Sequence, residues 1–112
     1  MISHKTLAAG RWFELSTVEQ FANIGVDIER TIQWKKRGDL EASKNAFWRA
    51  LELIDLTIAD PKSKGGPRRE LVRSREALVD HFVYDNIYKT TDELWQKYFF
   101  NFNYMTALRR GK

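Results

Sequence analysis

Only one stretch of this chain breaks helical periodicity outright: Asp60-Pro61-Lys62-Ser63-Lys64-Gly65-Gly66-Pro67-Arg68-Arg69. Two prolines and two adjacent glycines cannot sit inside a continuous helix, because proline lacks an N–H and glycine carries the largest backbone entropy cost. The sequence on either side keeps a period near 3.6 and shows no alternation suited to strands. The break therefore divides the protein into two helical hairpins and loads their junction with positive charge. With 112 residues, the chain is expected to form one domain over 1–112 with a single core.

Residues 1–15 read as an irregular N-terminal arm that docks through Trp12, Phe13 and Leu15. A first helix is predicted over 17–37. Ser16 and Glu19 have the spacing of a capping box, and Phe21, Ile24, Gly25, Ile28 and Ile32 fall on one stripe. Gly25 on that stripe would let a neighbouring helix approach closely. Gly38 suits the left-handed position after a helix end, and Asp39 can cap the next helix.

The second helix is predicted over 40–58, with Leu40, Phe47, Ala50, Leu51, Ile54 and Ile58 inward. The third begins near Pro67 and runs to Tyr84, turning Leu71, Val72, Leu78, Val79, Phe82 and Val83 inward before Asp85-Asn86 ends it. Thr90 and Glu93 form a second capping box for a fourth helix, whose stripe is Leu94, Trp95, Tyr98, Phe102, Met105 and Leu108. Short polar links make consecutive helices antiparallel. The expected fold is all-α, an antiparallel up-down-up-down four-helix bundle.

In that topology the central break and the C-terminus lie at the same end. Lys62, Lys64, Arg68, Arg69, Arg73, Arg109, Arg110 and Lys112 gather there against only Asp60 and Glu70. The local excess is six positive charges in a chain whose net charge is +4, so the remainder is slightly acidic. Arginine meets phosphate with a planar pair of donors, and a cluster of cations attracts nucleic acid. This pole is the candidate nucleic-acid contact. The plainer alternative is a soluble helix end matched to its dipole.

Aromatic residues make up 13% of the chain, more than the core stripes use. Phe100 and Tyr104 form a ridge on the far side of the fourth helix, and Trp34 and Trp48 lie off their own stripes. These four are candidate subunit-interface residues, with packing under the N-terminal arm as the alternative for the tryptophans.

The absence of cysteine excludes disulfides and thiol chemistry and suits a reducing cytoplasm. The N-terminal residues are too polar for a signal peptide, and no apolar run approaches membrane-spanning length. No Glu-x-x-His or His-x3-His pair suggests a metal, and no phosphate loop or nucleophile elbow is present. No cofactor is expected.

Arg75-Glu76-Ala77-Leu78-Val79-Asp80-His81 resembles the arginine-x4–6-histidine pattern of HEPN-domain ribonucleases, which are small helical bundles. That resemblance implies catalysis on RNA by Arg75 and His81 in a cleft between two subunits. Glu76 departs from the small polar residue usual at that place. Regular helix geometry separates the two side chains by roughly 240°, with Arg75 toward the apolar face. The alternative is a buried structural Arg75 paired with Asp27 or Asp55, and a surface or interface His81.

The blocks Asn23-Ile24-Gly25, RTIQWKK over 30–36, RALELIDLTIADP over 49–61 and REALVDHFVYDN over 75–86 are similar to a group of short uncharacterised bacterial helical proteins. In size, charge and architecture the chain also resembles the accessory variability determinant of diversity-generating retroelements. That resemblance implies an oligomer that holds a reverse transcriptase and its RNA. The expectation is a non-catalytic, self-associating accessory protein that binds RNA or an RNA–protein complex. A metal-independent ribonuclease and a protein–protein adaptor are the alternatives.

Overall fold

The computed structural model describes residues 10–110, and residues 103–110 by their backbone alone. Among the described residues every regular element is helical and there is no strand. Helix α1 spans Thr17–Lys36, α2 Leu40–Ala59, α3 Gly66–Phe82 and α4 Asp92–Arg110, with a 3-10 turn at Pro61–Ser63 between α2 and α3. None of these helices is long and apolar enough to cross a membrane.

Local chemistry sets the helix limits. Ser16 Oγ accepts from Glu19 N at 3.1 Å while Glu19 Oε1 accepts from Ser16 N at 3.0 Å, so the capping box forms at the start of α1. Gly38 takes φ +82° beyond the end of α1, a conformation that is costly for a residue with a Cβ. Asp39 then caps α2 by accepting from Ala42 N at 3.0 Å. At α4 the cap is Thr91, whose Oγ1 accepts from Leu94 N at 3.0 Å, rather than the expected Thr90. Helix α3 stops two residues short of Tyr84, because Asp80 captures the backbone that follows it.

The core is one cluster fed by every helix and by the arm. Ile24, Ile28 and Ile32 of α1 are fully buried, as are Ala50 and Ile54 of α2 and Leu71 and Leu78 of α3. Each large side chain removed from water contributes about 1.5–3 kcal/mol. Trp12 from the arm, whose described residues 10–12 are helical rather than irregular as expected, is buried with them, and its Nε1 donates to Thr57 Oγ1 at 2.8 Å.

Several faces differ from the periodicity-based expectation. Leu40 is 69% exposed, and Val72, Val83 and Leu94 are also on the surface. Leu40 is the first residue of α2, so no turn precedes it to cover it. Helix α3 buries only Leu71, Ser74, Leu78 and Asp80, which leaves Val72 and Val83 outside. Helix α4 is rotated so that Phe99, absent from the predicted stripe, is 3% exposed and Leu94 faces out.

Gly25 explains that rotation. A Cβ built there would lie 2.7 Å from Phe99 Cβ, so α4 seats Phe99 in the notch that the glycine leaves. Substitution G25A is expected to destabilise despite its better helix propensity. Overpacking costs about 1–3 kcal/mol, against a propensity gain of about 1 kcal/mol. A chemical-denaturation midpoint at or above the wild type's would show that the two helices can part without cost.

Contacts between helices tie distant parts of the sequence. Between α1 and α2, Ser43 Oγ donates to Thr31 O at 2.8 Å, and Gln20 Nε2 reaches Asp60 beyond the far end of α2 at 2.8 Å. Between α1 and α4, the Phe21 and Phe102 rings lie 4.9 Å apart and Lys35 meets Asp92 at 2.9 Å. Arg75 of α3 meets Asp55 of α2, and Phe82 packs on Phe47. Ser74 and Tyr98 join α3 to α4. Tyr98 also donates to Glu70 at 3.0 Å. Burial, together with Glu70 and despite the Ser74 bond, pushes its phenol pKa up to about 12, so the proton stays on.

Candidate nucleic-acid interface

The central break is a folded latch. Asp60 is 2% exposed, and its carboxylate accepts from Gln20 Nε2, from Lys62 N at 2.9 Å and from Lys62 Nζ at 2.6 Å. Its carbonyl accepts from Ser63 Oγ and from the Arg68 guanidinium at 3.1 Å. Burial alone would raise the Asp60 pKa, but the donors from Lys62 and Gln20 outweigh it and hold the carboxyl below its ordinary value of 3.8.

This latch divides the predicted basic pole. Lys62 is committed to Asp60 and to Phe13 O, and Arg68 to Asp60 O and Ser63 Oγ. Lys64, Arg69 and Arg73 are exposed and form no ion pair among the described residues. Arg69 and Arg73 stand four apart on α3, hence side by side. Arg109 and Arg110 lie on the last turn of α4, and their side chains, like that of Tyr104, fall outside the described residues. Lys112 lies outside them altogether.

The aromatic candidates do not share one groove. Trp48 is exposed beside Leu40 and Val83 in a hollow of about 290 Å³. Phe100 is exposed beside Val26 in a separate groove of about 420 Å³ between α1 and α4. Trp34 is partly covered by the Arg37 guanidinium, 5.2 Å from its ring.

Arg75 and His81 engage different helices. Arg75 forks onto Asp55, with Nε to Oδ1 at 2.8 Å and a terminal nitrogen to Oδ2 at 3.3 Å. The expectation of a buried Arg75 is corrected, since this pair lies at the surface of α2 and α3. Asp27 instead meets Arg30 at 3.2 Å. Burial raises the Asp27 pKa in spite of Arg49 and Arg30.

His81 is not a surface residue. Its side chain is 7% exposed, and it is held between Asp92 Oδ1 at 2.8 Å and Thr90 Oγ1 at 2.9 Å. Burial opposes the Asp92 charge, but hydrogen bonds from His81 and Lys35 prevail and keep its carboxyl below the usual range. Among the described residues no three metal-ligating side chains converge.

Sequence reasoning missed a second feature, the connection from α3 to α4. Asp80, buried under it, accepts from Ile87 N at 3.0 Å and Tyr88 N at 3.1 Å. Asn86 closes the loop by donating to Thr90 O and accepting from Thr90 N. Asn86 and Lys89 both adopt positive φ, 55° and 53°. The Tyr88 hydroxyl donates to Glu76 at 2.9 Å.

This tied loop displays Tyr84 and Ile87, 71% and 72% exposed, beside a groove of about 590 Å³ along α3. The signal available in the sequence was a pair of large apolar residues inside a helix–helix connection, where polar residues are the rule. No family model matches the chain, and no curated protein or solved structure matches it either.

Proposed function

We propose that this protein is a non-catalytic accessory protein that binds RNA, alone or within an RNA–protein complex, and that associates with itself. The observation that carries the reading is the set of exposed cations Lys64, Arg69 and Arg73, unpaired among the described residues: Lys64 stands on the linker that Asp60 holds in one shape, and Arg69 and Arg73 on the first turns of α3 that follow it. A phosphate backbone meeting a preformed cationic surface does not have to order the segment that binds it.

The reading includes the up-down-up-down arrangement. Its support is the order of contacts: α1 pairs Thr31 with Ser43 but Gln20 with Asp60, and Lys35 with Asp92 but Phe21 with Phe102. In that arrangement the end of α4 extends past Tyr98 toward the start of α3, and Arg109 and Arg110 join the pole. Lys62 and Arg68 add to its potential while serving as latch residues. Arg75 and His81 enter as structural residues, each already engaged by a neighbouring helix.

The test is salt dependence. Each phosphate contact displaces condensed counterions and contributes about 0.7 to the log–log slope on a single strand. The triple variant K64A/R69A/R73A is expected to lower that slope by about 2 and to leave heparin at lower salt. Binding that is unchanged in the variant, or absent in the parent at low salt, would sink the proposal.

A further inference from the structure

The outward face of α3 carries Arg69, Val72, Glu76, Val79 and Val83 at helical spacing. Val72, Val83, Arg69 and Glu76 are exposed, and Val79 is half-buried. Charge is divided along this face. Arg69 and Arg73 stand in its first half, and Glu76 and then exposed Asp85 in its second half and just beyond. The groove beside it is walled by Tyr84, Ile87 and Tyr88.

We infer that this groove is a self-complementary interface, into which a second copy of the chain lays its own α3 antiparallel across a two-fold axis. The charge pattern selects that occupant. A two-fold axis perpendicular to α3 reverses the second copy, so the basic half of each helix lies over the acidic half of the other at both ends. Two identical helices set parallel would oppose like charges instead, which costs both affinity and register. Between the charged ends the valines and Ile87 meet, and an apolar centre with a polar rim is the usual anatomy of a stable contact.

The loop is built for display. Asp80 and Asn86 satisfy its backbone groups, and two left-handed non-glycine residues are retained at about 1–3 kcal/mol each. A wall fixed in advance has little entropy left to lose when it is covered.

This inference rests on the self-association in the reading above, and it shares Arg69 and Arg73 with the RNA reading, so a variant that touches neither cation is needed to separate the two. The experiment is the concentration-dependent mass of the full chain by sedimentation, for the parent, I87D, D85R and W48D, with helicity monitored. All three substituted side chains are exposed, so the fold should persist. The expected result is a parental dimer that I87D and D85R weaken about tenfold or more, while W48D, on another face, leaves it intact. A parent that stays monomeric at every concentration overturns this interface and self-association together. A dimer lost in W48D and kept in I87D overturns this interface and leaves self-association standing. Heparin retention of I87D, which keeps every cation of the pole, reports the RNA reading separately.

Discussion

Replacing Trp12 with alanine should be the most damaging single change in the molecule, at about 3–5 kcal/mol. Trp12 is a buried member of the core although it belongs to the arm before α1. Its loss opens a cavity under α1 and α2 and removes the indole donor to Thr57. Its carbonyl also receives Gln20 Nε2 at 3.0 Å, so a displaced arm leaves that amide short of a partner. For a domain of this size the thermal midpoint should fall by roughly 10–30 °C. W12F separates the two contributions. It keeps most of the apolar volume, and Thr57 Oγ1 still donates to Leu53 O, so the cost should be nearer 1 kcal/mol. A W12A midpoint within a degree or two of the parent's would mean that the arm contributes nothing to the core.

The second large effect belongs to Asp60. D60A leaves one N–H of the buried Gln20 amide, whose other bond to Trp12 O remains, and the Lys62 N–H without their acceptor, at about 1–3 kcal/mol for each orphaned group. It also unties the linker, so a protease that cuts after lysine should nick the variant at Lys62 or Lys64 while the parent resists. The pH dependence has a definite sign. The folded carboxyl titrates below its ordinary 3.8. Its contribution is therefore complete above that value and is lost as pH falls through the folded pKa. D60N should be less stable than the parent at neutral pH, and the gap should narrow in acid. Asp92 shares this sign, whereas Asp27, with its raised pKa, opposes it. A gap that stays constant down to pH 2 would show that the Asp60 charge plays no part.

Much of the helical framework was legible because its determinants are local. Ser16 with Glu19, Gly38 with Asp39, and Pro67 in the first turn of α3 each act within four residues of themselves. The notch at Gly25 was legible too, as a gap in an apolar stripe, although its occupant was not. The sequence presents the candidate pole as one set of cations, and among its described side chains the structure separates latch residues from free ones. Lys62 and Arg68 look no different from Lys64 and Arg69 until Asp60 is seen beside them. His81 looked like a surface or interface residue because Asp92 and Thr90, which hold it, come from beyond its own helix.

That four helices form, roughly where most of them start and stop, and that no strand competes, follow from the sequence alone, since caps, glycines and prolines act on their own backbone neighbours. Which face of α3 and α4 points inward, which cations remain free for a partner, and how the loop after α3 is held were decided only by tertiary structure. Those outcomes depend on pairs such as Gln20 with Asp60, Gly25 with Phe99 and Arg75 with Asp55. Residues that far apart along the chain influence each other only once packing has brought them into contact.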